Sequence, residues 1–234
     1  GQVESSKFNI QDLVEKSLSG WKNNPIQQFK TQSDKQEKPA LKVKYKQTEQ
    51  AHLCLGVRAY SMKHPKKYPL SVLSAILGGG MSSRLFIEVR EKRGLAYYVK
   101  SDATQYLDVG NFVTQSGVDV KRIDDAISVI IDQYMGIASG KLPVKAEELT
   151  KAKEHLKGHL TLELEDSRSV AAFYGTQEIL RRKIRTLDEV MAKTDAVTLN
   201  EVHEVAKEIF VPKHLNLAVI GPYKDENRFK KLLK

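Results

Sequence analysis

The 234-residue sequence is 41% hydrophobic and 29% charged, a composition typical of globular proteins, and no apolar run approaches the roughly 18 residues that a membrane-spanning helix requires. Its net charge of +9 raises nucleic acid or an anionic surface as a partner, but the basic residues lie in separate runs with no interleaved aromatic residues, so we expect no nucleic-acid and no membrane partner. These runs occupy residues 63–67, 90–93, 181–185 and 224–234.

The first 60 residues contain three successive sequence patterns. Apolar residues at positions 10, 13, 14 and 18 recur at helical spacing and predict a short amphipathic helix over residues 9–21. Residues 23–39 are rich in Gln, Lys, Asn and Pro and lack periodicity, which predicts a linker or an extended arm. Apolar and polar residues then alternate over residues 41–45 and 51–60, which predicts two half-buried strands.

The central part of the chain alternates between helical and strand patterns. A helix is predicted over residues 68–77 and ends at Gly78, Gly79 and Gly80. A second helix begins at Ser82 or Ser83, which are good N-caps, and ends at Gly94. Two strands follow, over residues 95–106 and 109–118.

The remaining chain is mostly helical. Apolar residues at helical spacing predict helices over 123–134, 149–164, 169–181, 187–193 and 199–210, followed by a strand over 214–220 and a last helix that ends near residue 233. Strands, then helices, then a closing strand indicate an α+β fold, in which helices pack on one face of a mostly antiparallel sheet.

No set of histidines in the sequence forms a credible metal site. His155 and His159 share a helix face, but Glu163 is too far along the axis to complete a tetrahedral set with both. Two near-matches to zinc motifs fail, because Lys151 stands at the first histidine position of H-x-x-E-H and Lys207 at the second histidine position of H-E-x-x-H, and a protonated ammonium cannot bind zinc. We therefore expect neither metal ligands nor catalytic residues in this chain.

Nucleophile motifs are absent as well. Cys54 has no histidine at a fixed spacing and is interpreted as an ordinary small residue of a strand. Ser82 and Ser83 follow glycines but match neither a nucleophile elbow nor a phosphate-binding loop, so they are interpreted as helix caps.

Arg90 and Tyr97 are the remaining candidates for a functional site. They lie seven residues apart across the Gly94 turn, so both side chains would project from one end of the sheet. There they would donate hydrogen bonds to a carbonyl oxygen, an arrangement that stabilises an oxyanion. The alternative is a charged surface helix followed by two packed aromatic residues.

The segment LGGGMSSRLFIEVREKRGLAYYV, residues 77–99, resembles the signature of the second half of insulinase/pitrilysin-like zinc peptidases, the inverzincin family that includes the mitochondrial processing peptidases. The resemblance extends over nearly the whole chain, to EQAHLCLG, DVGNFVTQSGV, KAKEHLKGHLTLELED and LAVIGP. The segment LVEKSLSGWK, residues 13–22, resembles the helix that ends the first half of these proteins.

The resemblance implies a peptidase of two homologous α+β halves that close like a clamshell around a peptide substrate. The first half would carry H-x-x-E-H and a distal glutamate: the two histidines and the distal glutamate would hold zinc, and the motif glutamate would act as general base on the zinc-bound water. The second half would contact the substrate backbone through an arginine and a tyrosine, which match Arg90 and Tyr97, while Gly78, Gly79 and Gly80 would line the cleft. The zinc-binding half is not in this sequence, so the expected partners are a peptide and the missing N-terminal half or a catalytic subunit.

The resemblance also predicts the domain organisation. Residues 1–24 would be the tail of the preceding half, residues 25–40 a linker, and residues 41–234 the C-terminal peptidase-like domain. Because the sequence begins at Gly1 with such a tail, we expect a fragment of a longer zinc metalloendopeptidase. A non-catalytic subunit and a non-proteolytic scaffold of the same family are the alternatives.

Overall fold

A computed structural model of the chain describes residues 9–22, 24–25, 30–32 and 35–233. The chain divides into two units, Gly1–Gln32 and Ser33–Lys234. In the first unit, α1 (Ile10–Ser17) begins at Asn9, whose side-chain oxygen accepts a 3.0 Å hydrogen bond from the backbone of Gln11. Residues 1–8, 23, 26–29 and 33–34 of the predicted tail and linker, and residue 234 of the predicted domain, lie outside the described residues, and the assignment of the tail to a preceding half stays a prediction.

The second unit is built on a five-stranded sheet. Its strands are β1 (Ala40–Tyr45), β2 (Gln50–Ala59), β3 (Ala96–Gln105), β4 (Gly110–Asp119) and β5 (Asn216–Gly221). Their order is β1-β5-β2-β4-β3, and every neighbouring pair is antiparallel except β1 and β5, which are parallel. The mostly antiparallel sheet predicted from the sequence is confirmed.

The helices of the second unit lie where the apolar periodicity predicts them. They are α2 (Lys67–Gly78), α3 (Ile123–Ala138), α4 (Ala146–Glu163), α5 (Ser167–Thr176), α6 (Leu187–Asp195), α7 (Leu199–Ile209) and α8 (Asn227–Leu232). Helices α6 and α7 begin with capping boxes, in which Thr186 pairs with Glu189 and Thr198 with Glu201. No helix in the described part of the chain is long and apolar enough to cross a membrane.

The core lies between one face of the sheet and these helices. Leu53, Leu55 and Val57 of β2 are buried, whereas His52 and Cys54 alternate with them on the exposed face. This alternation is what a sheet covered on one side requires.

Three buried hydroxyl groups of the core are satisfied by one another. The Tyr134 hydroxyl of α3 lies 2.6 Å from the hydroxyl oxygen of Thr114, which lies 2.6 Å from that of Ser101. The Tyr134 ring stacks on Phe210 at a centroid distance of 4.2 Å. This chain of hydroxyls joins α3 to β4 and β3 without leaving these buried oxygens unpaired.

Two predicted helices depart from α geometry. The helix predicted to end at Gly94 is a π-helix over Phe86–Glu91, where the Lys92 N–H reaches the carbonyl of Ile87, five residues back, at 2.9 Å. The helix predicted over 169–181 is α5 followed by a π-helical turn, Gln177–Arg181, which ends at Arg182 in the left-handed conformation (φ 54°).

Candidate functional site

The glycines that end α2 allow close packing. Gly78 is buried, and a Cβ there would lie 2.2 Å from the backbone nitrogen of Ser101 on β3. One turn earlier, the Ser74 hydroxyl donates a 3.0 Å hydrogen bond to the Ser101 carbonyl. The helix therefore approaches the sheet too closely for any residue other than glycine at position 78.

The other two glycines lie against α4. A Cβ on Gly80 would lie 3.3 Å from the His155 ring, and the same ring hydrogen-bonds to the backbone of Gly79. Burial and the neighbouring His159 lower the pKa of His155, although the bond to Gly79 opposes this shift. The space between this loop and α4 is only about 30 Å³, which is too small for a peptide side chain of any size.

The π-helical segment is anchored by charged contacts. The Arg84 guanidinium donates two hydrogen bonds to the Glu148 carboxylate of α4, at 2.6 and 2.7 Å, and two more to the carbonyls of Leu142 and Pro143. Burial would raise the pKa of Glu148, but the hydrogen bonds from Arg84 and the Lys145 backbone hold it below its usual value. This arrangement fixes the segment to α4.

Arg90 differs from the other basic residues of this segment. Lys92 and Arg93 both pair with Glu88, and these hydrogen bonds lower the pKa of the Glu88 carboxyl. The exposed Arg90 guanidinium instead lies over the Phe86 ring, 4.9 Å from its centroid, and has no carboxylate partner within the described residues. Its donors are free to bind a ligand.

Tyr97 lies on an irregular stretch of β3. Gly94 adopts φ +57°, and the strand then bulges between Ala96 and Tyr98, so Tyr97 is not paired in register with β4. Its side chain is 63% exposed, and its hydroxyl makes no hydrogen bond to any described residue. The bulge thus directs a polar aromatic side chain into solvent close in sequence to Arg90.

Tyr98, the second aromatic residue, lies on the exposed face of the sheet. Its hydroxyl is 3.2 Å from Nδ1 of His52, and its ring occupies the space where a Cβ of Gly117 would lie. Burial and the nearby Cys54 raise the pKa of Tyr98. Neither His52 nor Gly117 stands out in the sequence, because only the register of β2, β4 and β3 brings them to this tyrosine.

The histidines near the glycine loop do not form a metal site. The rings of His155 and His159 are 4.3 Å apart, but no group of three His, Cys, Asp or Glu side chains among residues 9–22, 24–25, 30–32 and 35–233 is arranged to hold a metal ion. Lys157, between them in sequence, pairs with Glu154 and Asp195. His203, in the other near-match, hydrogen-bonds through Nδ1 to the Ile137 carbonyl.

Comparison with known proteins gives one consistent result. The family model described as "Peptidase M16 inactive domain" matches residues 5–156. The chain is 35% identical over 224 residues to the uncharacterized zinc protease YmxG of Bacillus subtilis. The matched region covers 94% of this chain and 54% of YmxG. The chain therefore spans about half the length of this curated relative.

Solved structures share the fold. The structure of a protease from Helicobacter pylori superposes with a TM-score of 0.78 and 21% sequence identity. The match covers 92% of this chain and 53% of the Helicobacter pylori chain. The structure of a peptidase M16 inactive domain from Pseudomonas fluorescens superposes with a TM-score of 0.74 and 22% sequence identity. The match covers 84% of this chain and 47% of the Pseudomonas fluorescens chain.

Proposed function

This chain belongs to the family of peptidase M16 inactive domains, and we propose that it is the substrate-binding, non-zinc half of a zinc metalloendopeptidase whose two halves enclose a peptide. Arg90 and Tyr97 then hold the backbone of the bound peptide. The preceding half of the same protein, or a catalytic subunit, supplies the hydrolytic site.

The state of Arg90 is the observation that carries this proposal. Its charged neighbours Arg84, Lys92 and Arg93 are each bonded to a carboxylate, so the segment keeps one guanidinium for another partner. Guanidinium donors aimed at a peptide carbonyl stabilise the negative charge that develops there during hydrolysis. Because the segment is fixed to α4 through Arg84, little positional freedom is lost when substrate binds.

The position of Tyr97 supports the same role. Strand β3 is at the edge of the sheet in the described structure, next to β4 alone. An extended peptide that passes along such an edge meets the Tyr97 hydroxyl where the bulge exposes it. The buried Gly78 and the packed Gly79 and Gly80 then shape the loop beside the peptide rather than provide its main contacts.

Zinc does not fit the donors of this chain. Lys151 and Lys207 occupy the positions of motif histidines, and the two adjacent histidines of α4 have no third ligand within the described residues. In the complete protein a zinc ion held by the other half would activate water for attack on the peptide. This chain contributes binding and orientation of the peptide.

Substitutions in the complete two-half protein test the proposal. Arg90→Ala and Tyr97→Phe should each lower kcat/KM for a peptide substrate by about ten- to a thousandfold, because each removes a positioning or oxyanion contact. Lys92→Ala, which removes a paired charge from the same segment, is the matched control and should change kcat/KM by less than about twofold. Unchanged kinetics in both test variants would contradict the substrate-binding roles of Arg90 and Tyr97, whereas a complete protein without peptidase activity would favour the scaffold role.

The isolated chain provides a second test. We expect it to lack peptidase activity and stoichiometric zinc, because neither general base nor ligand set lies in the sequence described above. Elemental analysis of the purified chain after dialysis measures its zinc content, and a peptide-cleavage assay measures its activity. One tightly bound zinc ion per chain would contradict the assignment.

A further inference from the structure

A cavity of about 510 Å³ opens at the N-terminal end of α2, far from the glycine loop. Since α2 has 12 residues, the two ends of the helix are about 17 Å apart. Its walls are formed by residues 62–69 and by two segments more than 100 positions further along the chain, residues 181–185 and 193–201. We call it the basic cavity.

The charges that line the basic cavity are strongly unbalanced. Its cationic residues are Lys63, Lys67, Arg181, Lys183, Arg185 and Lys193. Glu201 is the one carboxylate among the lining residues, and it accepts hydrogen bonds from the backbone and hydroxyl of Thr198 at 2.8 and 2.9 Å, as the cap of α7. Six positive charges against one negative charge leave an excess of five.

None of these six cations has a carboxylate partner within the described residues. Lys67 is only 8% exposed, and its ammonium donates one recorded hydrogen bond, 3.2 Å long, to the Met62 carbonyl. The Nε of Arg181 is buried and has no hydrogen-bond partner among the described residues. Buried cationic donors without partners are unfavourable, so this arrangement favours a bound anion.

Electrostatic crowding is evident at Lys67. Burial, together with the charges of Arg181, Arg185 and Lys193, lowers its pKa to about 8. The other titratable groups that line the cavity are Lys63, His64, Tyr68, Lys183 and Glu201. An anion placed among these residues would relieve the repulsion that they impose on the Lys67 ammonium.

We propose that the basic cavity binds a compact polyanion that carries two or three phosphate groups. A terminal phosphate group carries roughly 1.5 to 2 negative charges near neutral pH and a bridging group about one, so two or three groups supply about three to five charges against the excess of five. The planar guanidinium groups of Arg181 and Arg185 suit paired phosphate oxygens. The volume accommodates a small molecule but not a folded protein or a nucleic-acid duplex.

Isothermal titration calorimetry of the 234-residue chain with inorganic tripolyphosphate tests this site at constant ionic strength. We expect saturable binding with one molecule per chain. The double variant R185Q/K193Q should weaken it by about tenfold or more, because charge-assisted contacts are lost. K230Q/K231Q removes the same charge from α8 and should bind within about twofold of the unmodified chain.

Additional ligands separate specific binding from general attraction. Sulfate at matched ionic strength should bind at least about tenfold more weakly, since it carries only two charges. ATP and tripolyphosphate distinguish a nucleotide from free polyphosphate as the source of the phosphate groups, because only a nucleotide would gain from base contacts. Equal loss of binding in both double variants, or no saturable binding of tripolyphosphate, would overturn the proposal.

A stability control completes the test. Lys193 is exposed, so the single variant K193E should fold normally and still weaken tripolyphosphate binding more than K193Q does. Thermal unfolding in the absence and presence of tripolyphosphate measures folding and binding together. A tripolyphosphate-induced shift in Tm that is as large in K193E as in the unmodified chain would also contradict the site.

Discussion

The two ends of α2 show two ways in which a helix terminus is used. At its C-terminal end the backbone packs tightly, and the charges nearby are paired, with Arg84 bonded to Glu148. At its N-terminal end Lys67 faces other cations across an open cavity, and none of them is paired with a carboxylate in the described part of the chain. The C-terminal end of α2 is held rigidly by close packing and paired charges. At the N-terminal end the cations repel one another, and a bound anion would relieve this repulsion.

The largest effect should follow from a change at the packed end. Gly78→Ala places a methyl group against the backbone of Ser101, which cannot move without shifting β3, so the free energy of unfolding should fall by about 3 kcal/mol or more. Urea denaturation measures the loss. Gly158→Ala is the matched control, because nothing lies within 4 Å of that position in α4, and it should stabilise the chain by about 0.5–1 kcal/mol.

A smaller loss should follow from removal of the paired arginine. Arg84→Ala breaks the bonds to Glu148 and to two carbonyls, so we expect the free energy of unfolding to fall by about 2 kcal/mol. The exposed pair of Lys92 and Glu88 provides the comparison, and Lys92→Ala should cost less than about 0.5 kcal/mol. Equal costs for the two substitutions would show that the Arg84 contacts do not anchor the segment.

The same ion pair makes the packed end sensitive to acid. Because the pKa of Glu148 is below its ordinary value of 4.5 in the folded chain, its contribution to stability is present above that pH and is lost as the pH falls through the folded pKa. Glu148→Gln should therefore flatten part of the acid limb of the stability profile. A profile identical to that of the unmodified chain would contradict this.

The smallest effect is expected at the cationic end, where the pH dependence has the same sign but lies in the alkaline range. The unfolded chain binds a proton at Lys67 up to its ordinary pKa of 10.5, whereas the folded chain releases it near pH 8, so stability from this residue rises with pH between these values. Lys67→Met removes this rise, and Lys231→Met, which removes the same charge elsewhere, should keep it. Chemical denaturation at pH 7 to 10 measures the difference in slope.

Local patterns in the sequence were sufficient to predict much of the secondary structure. The alternation over residues 51–60 and the apolar stripe over 68–77 predicted β2 and α2, since a half-buried strand and a core helix leave periodic traces. The parallel pairing of β1 with β5 had no such trace, because it joins residues 176 positions apart, such as Ala40 and Asn216. The π-helical geometry of 86–91 was also missed, because it depends on the tertiary anchors of the segment.

The candidate sites likewise combine features that local sequence predicts with features that depend on tertiary contacts. Arg90 and Tyr97 were predicted from a contiguous segment, but only the three-dimensional contacts of the neighbouring residues show that Arg90 has no carboxylate partner in the described part of the chain. The basic residues of 63–67 and 181–185 were described from the sequence as separate runs, and in the structure these two runs meet in the basic cavity. Charge spread along a sequence is not necessarily spread in space.

The position of β5 affects how the chain folds during synthesis. This strand lies between β1 and β2, so β1 lacks its sheet partner and one edge of β2 stays open until residues 216–221 have left the ribosome. Open strand edges are sites of mispairing between nascent chains. The order of the strands therefore makes the last strand the step that closes the sheet, and a chain stalled before it should depend on chaperones for its solubility.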